Sequence, residues 1–433
     1  MADQTSRRDF LRTAAAVTAA GALLPTEELL ADPRPIPAGA PRTPLRADEP
    51  IRLGIIGTGG MGNGHLTAFV NMAKAGRANV QVAGLSDVCA PRLEEAKASA
   101  EKGQGEGSVR TYANYRDLLR TDVHGVVIAS PEHWHGQMAE DALVAGKDVY
   151  VEKPMTLHLK EALRLMDVAA KHPAATCTVG TQYVTIPSYV EARRLIADGT
   201  IGKPVWSQTS YCRNSKEGEW LYYAIDPRWE PGVTLDWEAW CGPSGKAPWS
   251  AEVYARWRRY RRWSTGIIGD LLVHRITPLV DALNVGWPTR VVASGGHYVD
   301  TAMENHDQVN IQVEFEGGHT MIVAGSTANE LGLETVIRGH KGNLYVGGRN
   351  TVLRPERLFA DELEERTITG EAGPDSQEQL RMRWLECIRT RTGNPSPVEL
   401  GAKVMVIVDL AARSLWEGGA FGYDPARRKV SRL

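Results

Sequence analysis

Ile51-Arg52-Leu53-Gly54-Ile55-Ile56-Gly57-Thr58-Gly59-Gly60-Met61-Gly62 reads as a strand that breaks into a glycine-rich turn and then into a helix. The strand is apolar almost throughout, as suits one covered on both faces. Gly57 permits the tight turn, Gly59 lets backbone approach a ligand closely, and Gly62 lets the helix, expected from Gly62 to about Ala75, pack against the strand. The N–H groups opening that helix have no intrahelical partner and make a natural anion site. A glycine turn alone is often merely structural. Here the following strand, Val80–Ser86, ends at Asp87, whose carboxylate can accept from ribose hydroxyls and repel a 2′-phosphate. Gly57, Thr58, Gly59, Gly60, Met61, Gly62 and Asp87 therefore form a candidate dinucleotide site. Asp87 favours NAD over NADP, and Arg92, close in sequence, keeps NADP open.

Working outward, strands and helices keep alternating. A helix is expected from Pro91 to about Glu101, and strands at Val123–Ala129 and Lys147–Val151 flank a helix over Gly136–Ala145. This is the pattern of an α/β, doubly wound parallel sheet of the Rossmann kind, assigned to residues 51–175. After about Gly180 the strands lengthen and alternate apolar with polar, as in Val309-Asn310-Ile311-Gln312-Val313-Glu314-Phe315. Gly317-Gly318 then turns into His319–Ala324. Residues 176–433 are accordingly expected to form an α+β domain with a large, mostly antiparallel open sheet covered by helices on one face. The last helix, about Leu400 to Trp416, is apolar around much of its circumference and is free to pack back on the N-terminal domain.

Ser6-Arg7-Arg8-Asp9-Phe10-Leu11 precedes a weakly apolar run, Thr13 to Leu24, too short to span a bilayer. The arginine pair followed by Phe-Leu reads as a twin-arginine export signal over 1–31, with a Pro-rich linker over 32–50. Export in the folded state makes the translocation machinery a partner and the periplasm the destination, and no cysteine stands near the end of the signal to carry a lipid anchor. Soluble nicotinamide cofactors are cytoplasmic, so one carried out must be tightly held and restored in every cycle. The net charge of −2 leaves no basic field for nucleic acid. Five dispersed cysteines suggest no disulfide framework, and the eleven histidines show no metal-binding spacing.

Two further motifs carry chemistry. Glu152-Lys153-Pro154 ends a strand at the carboxyl edge of the sheet, where open α/β sheets bind ligands. Asp270 and His274 stand four residues apart on a helix expected from about Thr265 to Leu283, which sets them on one face a turn apart. A surface ion pair is the plain alternative for that spacing, but the apolar neighbours imply a buried helix, where an unpaired Asp or His is costly. Between Trp220 and Trp263 lie seven tryptophans, most of them expected to fill a local core, with Trp257 and Trp263 the leading candidates to line a ligand pocket.

Taken together, Ser130-Pro131-Glu132-His133-Trp134-His135, Glu152-Lys153-Pro154 and Asp270-x-x-x-His274 behind Ser264-Thr265-Gly266 resemble the Gfo/Idh/MocA oxidoreductases over nearly all of the chain from Ile51 onward. The resemblance implies a catalytic set of Lys153, Asp270 and His274, with His274 as general acid/base, Asp270 orienting it and Lys153 stabilising charge on the reacting oxygen. It also implies cofactor contacts from Ser130, Pro131, His135, Glu152, Lys153 and Gln182, and substrate contacts from Tyr183 and His274. The second domain of that family often serves in oligomerisation, so a dimer or tetramer is expected. Thr277 stands where the family often has aspartate, and Gln182-Tyr183 where it often has Asn-x-Arg; both lie around the substrate pocket. The expected activity is hydride transfer between a sugar hydroxyl and a retained nicotinamide cofactor. An NAD-dependent glycoside hydrolase and a sugar-binding protein with a relict cofactor site are the alternatives.

Overall fold

The apolar run Ile51–Ile56 (β1) lies at the centre of a six-stranded parallel sheet, with Leu53 and Ile55 wholly buried. The computed structural model describes Gly39, Leu45, Arg46 and residues 48–433. The export signal and most of the linker lie outside the described residues. After β1 come α1 (Gly60–Lys74), β2 (Val80–Ser86), α2 (Ala90–Gln104), β3 (Arg110–Tyr112), α3 (Tyr115–Leu119), β4 (Gly125–Ile128), α4 (His135–Val144), β5 (Asp148–Val151), α5 (Leu159–Lys171) and β6 (Cys177–Val179). The strand order is β3-β2-β1-β4-β5-β6. It reverses between β1 and β4, which opens a crevice at their carboxyl ends. Short β3 and the amphipathic α5 were not foreseen: β3 has only three residues, two of them exposed, too few for an alternation to register.

β6 continues this sheet past the expected boundary at residue 175, pairing with β5 from Val149↔Cys177 to Val151↔Val179. A second sheet of ten strands follows. Its members are β7 (Pro204–Cys212), β8 (Pro288–Gly296), β9 (Gln308–Phe315), β10 (Thr320–Ser326), β11 (Val336–Gly339), β12 (Gly342–Gly347), β13 (Asn350–Pro355), β14 (Arg366–Thr369), β15 (Ala420–Asp424) and β16 (Lys429–Arg432). All neighbours are antiparallel except β7 and β10, which run parallel. β9 and β10 form the expected hairpin, with Val313 opposite Met321 and both side chains buried.

The remaining helices join the two sheets. They are α6 (Pro187–Ala197), α7 (Trp237–Cys241), α8 (Ala251–Arg256), α9 (Val273–Leu283), α10 (Ser376–Thr390) and α11 (Val398–Glu417). α11 is buried around most of its circumference and touches both α5 and β8, and its Asp409 accepts from the Leu159 N–H at 3.2 Å. α10 sends Trp384, fully buried, against Phe69 and Tyr150 of the first sheet's core. The C-terminal helices thus return to complete the N-terminal layer. β1 through β16 belong to one compact unit.

Candidate active site

The glycine turn is built as its residue types require. Gly57 has φ +85°, and a Cβ there would stand 2.6 Å from the Ser130 nitrogen. A Cβ on Gly62 would collide with the Gly57 carbonyl oxygen. Gly59 precedes α1 with no side-chain cap, and the position of a Gly60 Cβ is open space, so the first N–H groups of α1 face an unobstructed cradle. Asp87 is more committed than its sequence position implied. Its carboxylate accepts from Thr58 N at 2.7 Å, Thr58 Oγ1 at 3.0 Å and Cys89 N at 2.9 Å. It therefore clamps the turn, and one of its roughly four lone-pair sites remains for a ribose hydroxyl. The Arg92 guanidinium lies against the rings of Trp229 and Tyr254, at 4.7 and 4.6 Å, beside Gly59. An open cradle, a clamped turn and a flat cation next to it fit a dinucleotide.

Lys153 follows β5, and its bond to Pro154 is cis. Behind it runs a buried chain invisible in the sequence. Arg381 of α10 donates to His65 Nδ1 at 3.0 Å, which leaves the proton on Nε2 to be donated to Glu152 at 2.9 Å. Burial alone would raise the Glu152 pKa, but the hydrogen bond from His65 and the nearby Lys153 charge hold it below the ordinary value. Glu152 is 4% exposed and its other oxygen accepts from Lys153 N, so it holds the loop in place. His135, expected to touch cofactor, spans the carbonyls of Pro154 at 2.7 Å and Ser130 at 2.8 Å. Each ring nitrogen faces one of the two loops that carry Lys153 and Pro131, and the single N–H of the neutral ring binds it to one of them.

Asp270 lies in a π-helical turn, Ile268–Leu272, that leads into α9, rather than in the uninterrupted α-helix expected from Thr265. Such turns recur at functional sites. Its carboxylate does not hydrogen-bond His274. Lys153 Nζ donates to both Asp270 Oδ1 and the Asp270 carbonyl at 2.9 Å, and Arg258 Nε donates to the same Oδ1 at 2.9 Å. Burial would raise the Asp270 pKa, but Arg258 and Lys153 overcome it and hold the group far below the carboxylate range. Arg258 escaped the sequence reading because it sits among several arginines, Arg256 to Arg262, with nothing to distinguish it. Residues 213–263 bring it in: this insertion crosses the Rossmann sheet's β2–α2 turn through Ala90 N to Thr234 O (2.8 Å) and Asp236 N to Val88 O (3.0 Å).

Glu132 is fully buried beside this ion pair, and neither carboxylate oxygen has a hydrogen-bond partner among the described residues. Desolvation pushes its pKa up to about 8 despite the nearby Ser264, Arg258 and Lys153. His274 completes the centre. Burial, reinforced by Lys153, pushes its pKa down to about 3, and its Nδ1 has no partner. Its ring lies 5.3 Å from that of Tyr183 and 6.1 Å from that of Tyr211. These two tyrosines also line a cavity of about 400 Å³ with Arg213 and Arg275. Trp263, 3% exposed, instead packs among the rings of His133, Trp237 and Trp240, and Trp257 belongs to the same cluster under the Arg258 guanidinium. Neither borders the cavity, because the insertion needs them to fill its own small core. Gln182 and Tyr183 open a short helical turn directly after β6, at the crevice.

Residues 51–181 match the family model "oxidoreductase family, NAD-binding Rossmann fold", and 193–421 match its "C-terminal alpha/beta domain". Residues 4–23 match the twin-arginine translocation signal. The chain is 29% identical to an inositol 2-dehydrogenase/D-chiro-inositol 3-dehydrogenase of Lactiplantibacillus plantarum over 39% of its own length and 46% of that protein, so it spans under half of that relative. It is 29% identical to scyllo-inositol 2-dehydrogenase (NAD⁺) of Bacillus subtilis over 86% of its length and 96% of that protein. A solved levoglucosan dehydrogenase, in complex with NADH and L-sorbose, shares the fold at TM-score 0.65 and 20% identity, covering 86% of this chain and 98% of that one.

Proposed function

Because the chain belongs to the Gfo/Idh/MocA oxidoreductase family, we propose that it oxidises a secondary alcohol of a sugar or polyol, with NAD retained at the glycine turn and restored within each catalytic cycle. Bound NAD supplies the acceptor for the carbinol hydrogen at its nicotinamide. The α1 N–H groups would hold its pyrophosphate, and Asp87 its ribose. His274 receives the hydroxyl proton: its ring is neutral at pH 7, so it carries a nitrogen lone pair for the task. Lys153 has three N–H donors and gives two to Asp270, which leaves one for the reacting oxygen as negative charge develops there. Asp270 and Arg258 fix where that donor points.

The observation that carries this reading is the bridge from Lys153 to Asp270, which sets an uncommitted ammonium N–H at the carboxyl edge of the Rossmann sheet near the bare Nδ1 of His274. The twin-arginine signal supports the redox-neutral part, since a periplasmic enzyme has no soluble nicotinamide pool to draw on. Mass spectrometry of periplasmic protein should find nicotinamide dinucleotide released on denaturation. On a panel of polyols, sugars and aryl glycosides, His274→Ala should lower the single-turnover rate of nicotinamide reduction by roughly 10²–10⁴-fold. The thermal shift given by NAD should persist. Parental rates in that variant would remove His274 from the chemistry. Cleavage of an aryl glycoside without net nicotinamide reduction would replace the dehydrogenase reading with the glycosidase one.

A further inference from the structure

The cavity beside His274 holds a charge that the proposed hydride chemistry does not use. Arg275 follows His274 in the chain, and its guanidinium carbon lies 5.2 Å from the Tyr183 ring centroid and 5.5 Å from that of Tyr211. Its Nε is buried and without a hydrogen-bond partner, and among the described residues it forms no ion pair. Its immediate company is phenolic: Tyr183, Tyr211 and Tyr189, whose hydroxyl interacts with the guanidinium. Arg213, the other cation of the cavity, is spent internally. It donates to Glu219 at 3.1 Å and to the Tyr211 hydroxyl at 3.0 Å, and Glu219 is 1% exposed. Glu330, the acidic residue lining the cavity, is exposed to solvent.

A half-buried guanidinium with a buried, unsatisfied Nε and no carboxylate partner among the described residues carries a cost that a ligand can relieve. Relief requires an anion. One uncompensated positive charge matches one negative charge, and Glu330 at the rim disfavours a dianion. Tyr183 and Tyr211, which line the cavity with Arg275, also pack against the His274 ring at 5.3 and 6.1 Å, so a monosaccharide held on their faces lies next to His274. The tyrosine faces suit the C–H faces of its ring.

We propose that the substrate carries a carboxylate, as in a uronic or aldonic acid, that pairs with Arg275 while a hydroxyl of the same sugar faces His274. This inference rests on the dehydrogenase reading for the hydroxyl's role, and its binding component is tested separately from turnover. Calorimetric titration of the purified, NAD-loaded protein would compare glucuronate with glucose and galacturonate with galactose, adding glucose 6-sulfate and glucose 6-phosphate. At least one uronate should bind ten-fold or more tightly than its neutral twin, and the preference should shrink with added salt. Arg275→Gln should bring the acid-to-neutral ratio near one while the neutral twin binds as before; Arg275→Lys should keep part of the preference. Equal binding of acid and neutral twins by the parent protein overturns the proposal, whatever the variants do. So does an unchanged ratio in Arg275→Gln, or a preference confined to the sulfate or phosphate ester. Acid binding that depends on Arg275 without nicotinamide reduction would uphold the carboxylate site and defeat the dehydrogenase reading. A neutral sugar oxidised faster than its acid twin would do the reverse.

Discussion

Glu132 has the least natural surroundings of any carboxyl group in the site. A free glutamate ionises near 4.5, and burial here moves that to about 8. In the folded chain it stays protonated up to that pH, whereas in the unfolded chain it is ionised from 4.5 upward. Its raised pKa therefore leaves stability untouched below pH 4.5 and subtracts from it progressively as pH climbs toward 8. Glu132→Gln, which keeps the shape and cannot ionise, should match the parent near pH 4.5 and exceed it at pH 8 by about 4 kcal/mol. Thermal melts across that range check this; a constant offset between the two proteins would show that the carboxyl is not neutral in the fold. At this scale the sequence was legible where chemistry recurs at a fixed spacing. Lys153, Asp270 and His274 were singled out from their motifs, and the structure brings them together. Arg258, His65 and Arg381 were not, because each earns its place through a partner far away in sequence, and no local pattern marks a long-range contact. Asp270 shows the reverse error. Its spacing suggested His274 as partner, and the nearer cations took the carboxylate instead.

The turn between β1 and α1 is the element most fully written in the sequence, since each of its glycines answers a steric demand. Gly62→Ala places a methyl against the Gly57 carbonyl, and either helix or turn must shift. Such overpacking should cost about 1–3 kcal/mol and shrink the thermal stabilisation given by NAD. Gly64, exposed one position beyond Asn63 in the same helix, has nothing within 4 Å of its missing Cβ. Gly64→Ala should therefore gain up to about 1 kcal/mol from helix propensity and leave the NAD response intact. If both substitutions behaved alike in denaturant melts, the steric account of Gly62 would fail. Other elements were legible for equally plain reasons: the β9–β10 hairpin has a strict alternation and a Gly-Gly turn. The π-helical turn at Ile268–Leu272 was not, because a change of helical pitch leaves the apolar periodicity almost unaltered over five residues.

Across the whole molecule, both layers and their order along the chain followed from the switch between continuous apolar strands and alternating ones. What did not follow was the way the insertion at 213–263 straps across the Rossmann layer, since its tryptophans signal burial without saying against what. The N-terminal arginines also act at this scale. Arg7→Lys with Arg8→Lys preserves charge while removing the pair that the export receptor reads. Cell fractionation should then find the protein, with its NAD, in the cytoplasm; undiminished periplasmic levels would refute the export assignment. The return of α10 and α11 to the first sheet bears on how the molecule comes into being. A ribosome lays down β1 to β6 early, yet the flank of that layer at Phe69 and Tyr150 stays bare until Trp384 and the helix bearing Asp409 emerge. The first layer is thereby left unfinished until α10 and α11 have been made. A stop codon ahead of α10 would leave that flank of the first layer uncovered rather than remove a dispensable tail.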